Sequence, residues 1–131
     1  MTRGILGVIA GLAVWIAIAG VAGPIMRSAW PAYASVADAM TFTLPMMFAR
    51  LAIGALATLA TGLIASVIAR RSKLARLIPG VLLLVVFIPQ HIMLWDTFPV
   101  WYHLTFLASL VPLTYLGAKI AEARALVPVK A

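Results

Sequence analysis

Apolar residues run along this chain in four long blocks, and the breaks between the blocks are short and rich in proline, aromatic or basic residues. The blocks Gly4 to Ile25, Leu44 to Ala69, Leu77 to Trp95 and Val100 to Ala121 each approach or exceed the roughly 20 residues that a helix needs to cross a hydrocarbon layer about 30 Å thick. Small residues recur inside them at helical spacing. Gly7 and Gly11 are four apart, with Ala13 and Ala17 repeating the interval, a pattern that lets a neighbouring backbone come close. After Arg50 the positions Gly54, Thr58, Gly62 and Ser66 follow the same interval, flanked by Ala57, Thr61, Ala65 and Ala69. That broad smooth face is expected at the centre of the bundle or at an oligomer interface. The expected fold class is an all-α integral membrane protein: a four-transmembrane-helix bundle of two antiparallel hairpins, with residues 1–131 forming one domain.

Proline and aromatic residues punctuate the pattern. Pro24 is expected to end the first span, leaving 26–40 as an interfacial segment in which Trp30 and Tyr33 suit the headgroup level. Thr43 is a candidate N-cap for the second span, and Pro45 suits its first turn, where a missing N–H costs nothing. Pro89 should kink the third span and free backbone acceptors just before Gln90 and His91. The third span closes at Trp95 and Asp96, Thr97 to Pro99 reads as a tight turn, Pro112 should bend the fourth span, and Lys119, Glu122 and Arg124 suit an amphipathic extension that Pro128 stops.

Composition closes off a soluble fold. With 65% hydrophobic and 10% charged residues over 131 positions, a globule could not hide its apolar surface. The net charge of +7 does not point to nucleic acid, because the cations sit at span ends and in one loop rather than along a solvated face. Arg3, the basic loop 70–76 with Arg70, Arg71, Lys73 and Arg76, and Lys119, Arg124 and Lys130 share one side, opposite Arg27 and Arg50. The positive-inside rule then makes both termini cytoplasmic and the location a bacterial inner membrane. The first span has the layout of a secretory signal peptide, with Thr2 and Arg3 ahead of the apolar run Ile5 to Ile18 and the small residues Ala19, Gly20 and Ala22 after that run. It is expected to be retained, since three further spans already commit the chain to the membrane. There is no cysteine, hence no thiol chemistry.

The candidate chemistry lies on the outer side. Arg50 stands about one and a half turns into an apolar span, roughly 8 Å along it, at the helix end whose dipole repels cations, so an anionic partner is expected. Of the three acids, Asp38 and Asp96 are within its region and Glu122 is not. The bland reading of Arg50 is snorkelling to lipid phosphate. Gln90 and His91 at the third span's proline, with His103 at similar depth on the fourth, form a second polar group, for which interfacial histidines bonded to backbone or water are the plain explanation. A Cu(I) site from His91, Met93, His103, Met46 and Met47 fits thioether and imidazole chemistry, and two histidines at one depth are the donor set of a haem b, although no pair of small-residue pockets accompanies them. Methionine is also ordinary membrane filler.

Catalytic signatures are missing: there is no phosphate-binding glycine loop, no His-Glu-x-x-His and no nucleophile elbow. A proton-coupled exporter of the small multidrug type requires an acid in its first span, and Gly4 to Ile25 has none. The expectation is a non-enzymatic bundle, an oligomer or an accessory subunit of a larger membrane complex. Its polar cluster of Arg50, Asp38, Gln90, His91, Asp96 and His103 would bind an amphipathic or anionic ligand or a partner protein. The alternatives are a transporter or channel in which an oligomer places Arg50 in the pathway, and a copper or haem protein. A lipid-directed enzyme with His91 or His103 as base has no specific support.

Overall fold

Backbone groups inside hydrocarbon find no water, so each apolar block must close its own hydrogen bonds as helix. The computed structural model, which describes residues 1–70 and 72–126, follows this rule. Its elements are α1 (Thr2–Ala29), α2 (Pro31–Ala37), α3 (Leu44–Ile68), α4 (Lys73–Met93) and α5 (Val100–Leu126), with no strand among the described residues. α1, α3, α4 and α5 are each long and apolar enough to cross a membrane, and large side chains such as Ile16, Leu56, Val85 and Leu104 face outward from them. The chain is an all-helical integral membrane protein. Arg71, Pro128 and Lys130 lie outside the described residues.

α1, α4 and α5 are longer than their apolar blocks, and one expected stop is overturned. α1 continues through Pro24 to Ala29. Carrying on past the proline forfeits one backbone hydrogen bond, while the following turn gains its own, such as Trp30 N–H to Met26 O. Termination comes instead at Trp30, whose backbone is extended ahead of Pro31 and whose N–H caps Met26 O at 3.0 Å. The 26–40 segment is thus divided between the end of α1, the short α2 and a turn in which Met40 takes φ 55°. Thr43 does occupy the N-cap position of α3, but its side chain makes no capping bond.

Packing order follows from side-chain size. α3 lies at the centre, against α1, α4 and α5. It runs antiparallel to α1, since Gly7 meets Ala65 and Ala69 while Gly11 meets Thr61. It runs parallel to α5 in a register of 52 residues set by Arg50 and Tyr102, which also places Gly54 on Phe106 and Gly62 on Thr114. α4 pairs antiparallel with α5, with Gly80 against Leu110, Val111 and Thr114, so two antiparallel hairpins form the bundle. The small residues let backbones touch. A Cβ at Gly7 would stand 2.5 Å from the Ala65 carbonyl oxygen, and one at Gly62 or Gly117 would overlap the carbonyls of Thr114 and Leu59. Thr61 Oγ1 is within reach of Ala57 O at 2.8 Å and, across the interface, of Gly11 O at 3.0 Å. Ser66 Oγ is buried with no hydrogen-bond partner among the described residues.

The bundle therefore tapers. At the end bearing the basic residues, Arg76 Nε donates to Glu122 Oε1 at 2.6 Å and ties α4 to α5. Toward the opposite end, rings replace small residues: Trp15, Phe87 and Phe106, then Tyr33, Phe42, Phe98 and Tyr102.

Two glycine substitutions separate this packing from simple helix propensity. Gly62→Ala should lower stability by about 1–3 kcal/mol, because the α3 and α5 backbones must separate. Gly20→Ala, where a Cβ meets nothing within 4 Å, should raise it by about 0.5–1 kcal/mol. Unfolding in mixed SDS and detergent micelles measures both.

Candidate functional site

Arg50 is held at the wide end by aromatic residues from three directions. Its Nη1 donates to Tyr33 Oη at 2.8 Å, from α2, and its Nε donates to Tyr102 Oη at 3.3 Å, from α5. The guanidinium carbon lies 4.7 Å from the Phe42 ring centroid and 5.9 Å from that of Phe98, within cation–π range of both. The rings stack in sequence, Trp30 on Tyr33, Tyr33 on Phe42, Phe42 on Phe98 and Phe98 on Tyr102. Tyr33 is 4% exposed, so its hydroxyl needs this partner, and Met46 packs beneath it.

The expected carboxylate partner is absent, which corrects the sequence reading. Asp38, at the exposed end of α2, accepts from Arg27 Nη2 at 2.9 Å, and Asp96 is exposed in the α4–α5 turn and forms no ion pair among the described residues. Neither acid lines the cavity that contains Arg50. Bringing a carboxylate down to the guanidinium would desolvate a second charge, whereas two phenols and two ring faces supply acceptor density without one.

His91 and His103 do come together. Their Nδ1 atoms are 2.7 Å apart, so one donates to the other, and His103 Nε2 lies 3.2 Å from the Trp95 carbonyl oxygen. His103 is wholly buried and stacked on Trp95 at 4.8 Å, while His91 is stacked on Phe106 at the same separation. This contact bears on the metal candidates. Two nitrogens on either side of a haem iron stand about 4 Å apart, twice a metal–nitrogen distance near 2 Å, whereas these rings bond directly to each other. Met46 is packed with Tyr33 and Ala37, Met93 is 84% exposed, and neither they nor Met47 line the cavity. No group of three metal-binding His, Cys, Asp or Glu side chains occurs among the described residues. Of the donors proposed for copper or haem, the two histidines converge on each other and Met46, Met47 and Met93 do not join them at the cavity.

A half-open cavity of about 190 Å³ connects these parts. Arg50, Tyr33, Tyr102, Gln90, His91 and His103 supply its polar wall, and Trp15, Phe87 and Phe106 its apolar wall. Between Trp15 and Met26, α1 contributes Ala19, Ala22 and Gly23 to the lining, small residues that leave room opposite the rings of α4 and α5. At Gly54 a Cβ would lie 2.9 Å from the Phe106 ring, and Trp15 Nε1 donates to Thr58 Oγ1 at 3.1 Å, so the cavity is closed toward the basic end. The aromatic cage around Arg50 was not anticipated. Its signal was the lack of an acid at Arg50's depth, which left the nearby tyrosine hydroxyls as acceptors.

No family model, no curated protein and no solved structure matches this chain. The functional reading therefore stands on the geometry.

Tyr33→Phe and Tyr102→Phe should each lower stability by about 1–3 kcal/mol, since each leaves a guanidinium N–H without its acceptor. Asp38→Asn, which breaks an exposed pair, should change it by less than about 0.5 kcal/mol. Thermal unfolding in detergent distinguishes the two groups; an equal loss in Asp38→Asn would show that the aspartate supports Arg50.

Proposed function

We propose that this chain is a non-enzymatic membrane protein that binds an amphipathic anion in the cavity at its aromatic end. The carrying observation is the state of Arg50. Its cation lies at the wall of a largely apolar cavity, has only neutral partners, and its Nη2 makes no hydrogen bond among the described residues. A guanidinium in such surroundings gains most from an acceptor that brings negative charge, because low local polarity strengthens the pairing. The apolar wall suits a hydrocarbon body attached to that group.

The charge pattern supports a bacterial inner membrane with both termini cytoplasmic: Arg3, Arg70, Lys73, Arg76, Lys119 and Arg124 belong to the basic end, and Arg27 and Arg50 to the other. The cavity then opens in the outer leaflet. Binding rather than transport is the reading for a single copy, because a path through the bundle would have to pass the backbone contacts at Gly62 and Gly117. The small-residue ridges meet partners inside the chain, so this reading needs no second copy.

Decanoate is a suitable probe, titrated calorimetrically into protein-loaded nanodiscs and compared with empty ones. Saturable binding is expected, weakened about tenfold or more in Arg50→Gln by loss of a charge-assisted hydrogen bond. Decyltrimethylammonium should show no saturable component. Equal decanoate affinity in wild type and Arg50→Gln, or none in either, overturns the reading.

A further inference from the structure

The hydrogen-bond chain through the two histidines has one consistent direction. The Trp95 carbonyl can only accept, so the His103 Nε2 that faces it at 3.2 Å carries a proton. A neutral His103 then has its lone pair on Nδ1. The proton in the 2.7 Å contact accordingly belongs to His91 Nδ1, and a neutral His91 keeps its lone pair on Nε2. Both rings are neutral in this arrangement: no carboxylate lines the cavity, and Arg50, bonded to the Tyr102 hydroxyl, already places one cation beside the stacked His91 and Tyr102 rings.

His91 Nε2 has no hydrogen-bond partner among the described residues, although the side chain is buried and lines the cavity. The Trp95 carbonyl, which belongs to the backbone just past α4, thereby dictates the polarity of a group two imidazoles away. The cavity wall offers a cationic donor, Arg50 Nη2, and a neutral acceptor, His91 Nε2; Arg50 meets the hydroxyl and His91 the ring face of the same Tyr102.

We infer that the ligand is an anion that carries a hydrogen-bond donor beside its acidic group, of the kind found in a long-chain 2-hydroxycarboxylate: the carboxylate pairs with Arg50 and the hydroxyl donates to His91 Nε2. This rests on the anion-binding reading and refines it. A simple carboxylate satisfies the arginine and offers no donor to the imidazole acceptor on the cavity wall. An ether in place of the hydroxyl presents a lone pair to a lone pair.

Two measurements test the inference. Nitrogen-15 NMR of histidine-labelled protein in nanodiscs should find the His91 proton on Nδ1 with Nε2 unprotonated, and the His103 proton on Nε2. A proton on His91 Nε2 overturns the inference without any variant having to fold. In calorimetry, 2-hydroxydecanoate should bind about threefold to tenfold more tightly than decanoate, the worth of one neutral hydrogen bond. The gain should vanish in 2-methoxydecanoate, and the ratio between hydroxy acid and plain acid should fall to about one in His91→Phe. Saturable, Arg50-dependent binding of decanoate with no gain from the hydroxyl refutes this inference alone. Failure of every probe to bind refutes the anion-binding reading with it.

Discussion

A guanidinium placed below a membrane surface with no carboxylate in reach is the constraint around which one end of this protein is organised. Arg50 cannot shed its charge, and each N–H left without an acceptor in such surroundings is costly. The response is a shell of neutral groups. Two phenol oxygens accept from the guanidinium, and the faces of Phe42 and Phe98 lie over it. Because those partners come from α2, the turn before α3, the turn before α5 and α5 itself, satisfying one side chain also determines where four segments of chain must lie. The short helix after α1 has few other anchors, and Tyr33 is the residue that seats it.

The other end of the bundle makes that arrangement possible. Close contact at Gly7, Gly11, Gly62, Gly80 and Gly117 leaves little freedom to slide one helix along another, so the register between α3 and α5 is set where side chains are smallest. Carried along two rigid helices, it brings Tyr102 to the level of Arg50 and Phe106 onto Gly54. The same taper produces the cavity: rings on α4 and α5 hold the helices apart at the wide end, where α1 offers two alanines and a glycine between Trp15 and Met26. Space, charge and the histidine hydrogen-bond chain therefore occur together for one geometric reason.

Much of the frame was legible in the residues. Apolar blocks of spanning length show where helices cross, and glycines at four-residue spacing show which faces can approach closely, because both properties belong to a single helix and repeat along it. The position of Arg50, well inside an apolar span yet at the head of a small-residue ridge, marks it as a group requiring a partner. Pro24 misled for an equally local reason. The cost of a proline is a property of its own turn, but whether a helix stops there depends on what ending it would expose.

What the chain alone determines is thus the membrane-spanning character and smooth faces of its helices, and the presence of a half-buried cation. Which groups answer that cation is decided by tertiary structure, since Tyr33 and Tyr102 lie 17 and 52 residues from Arg50 and reach it only through the turn geometry of α2 and the register of α5. Asp38, nearer in sequence than Tyr102, faces Arg27 at the surface instead, because charge pairs most cheaply where water can reach it. The direction of the histidine chain was likewise invisible in the residues, as it depends on a main-chain carbonyl at Trp95, and every residue carries one.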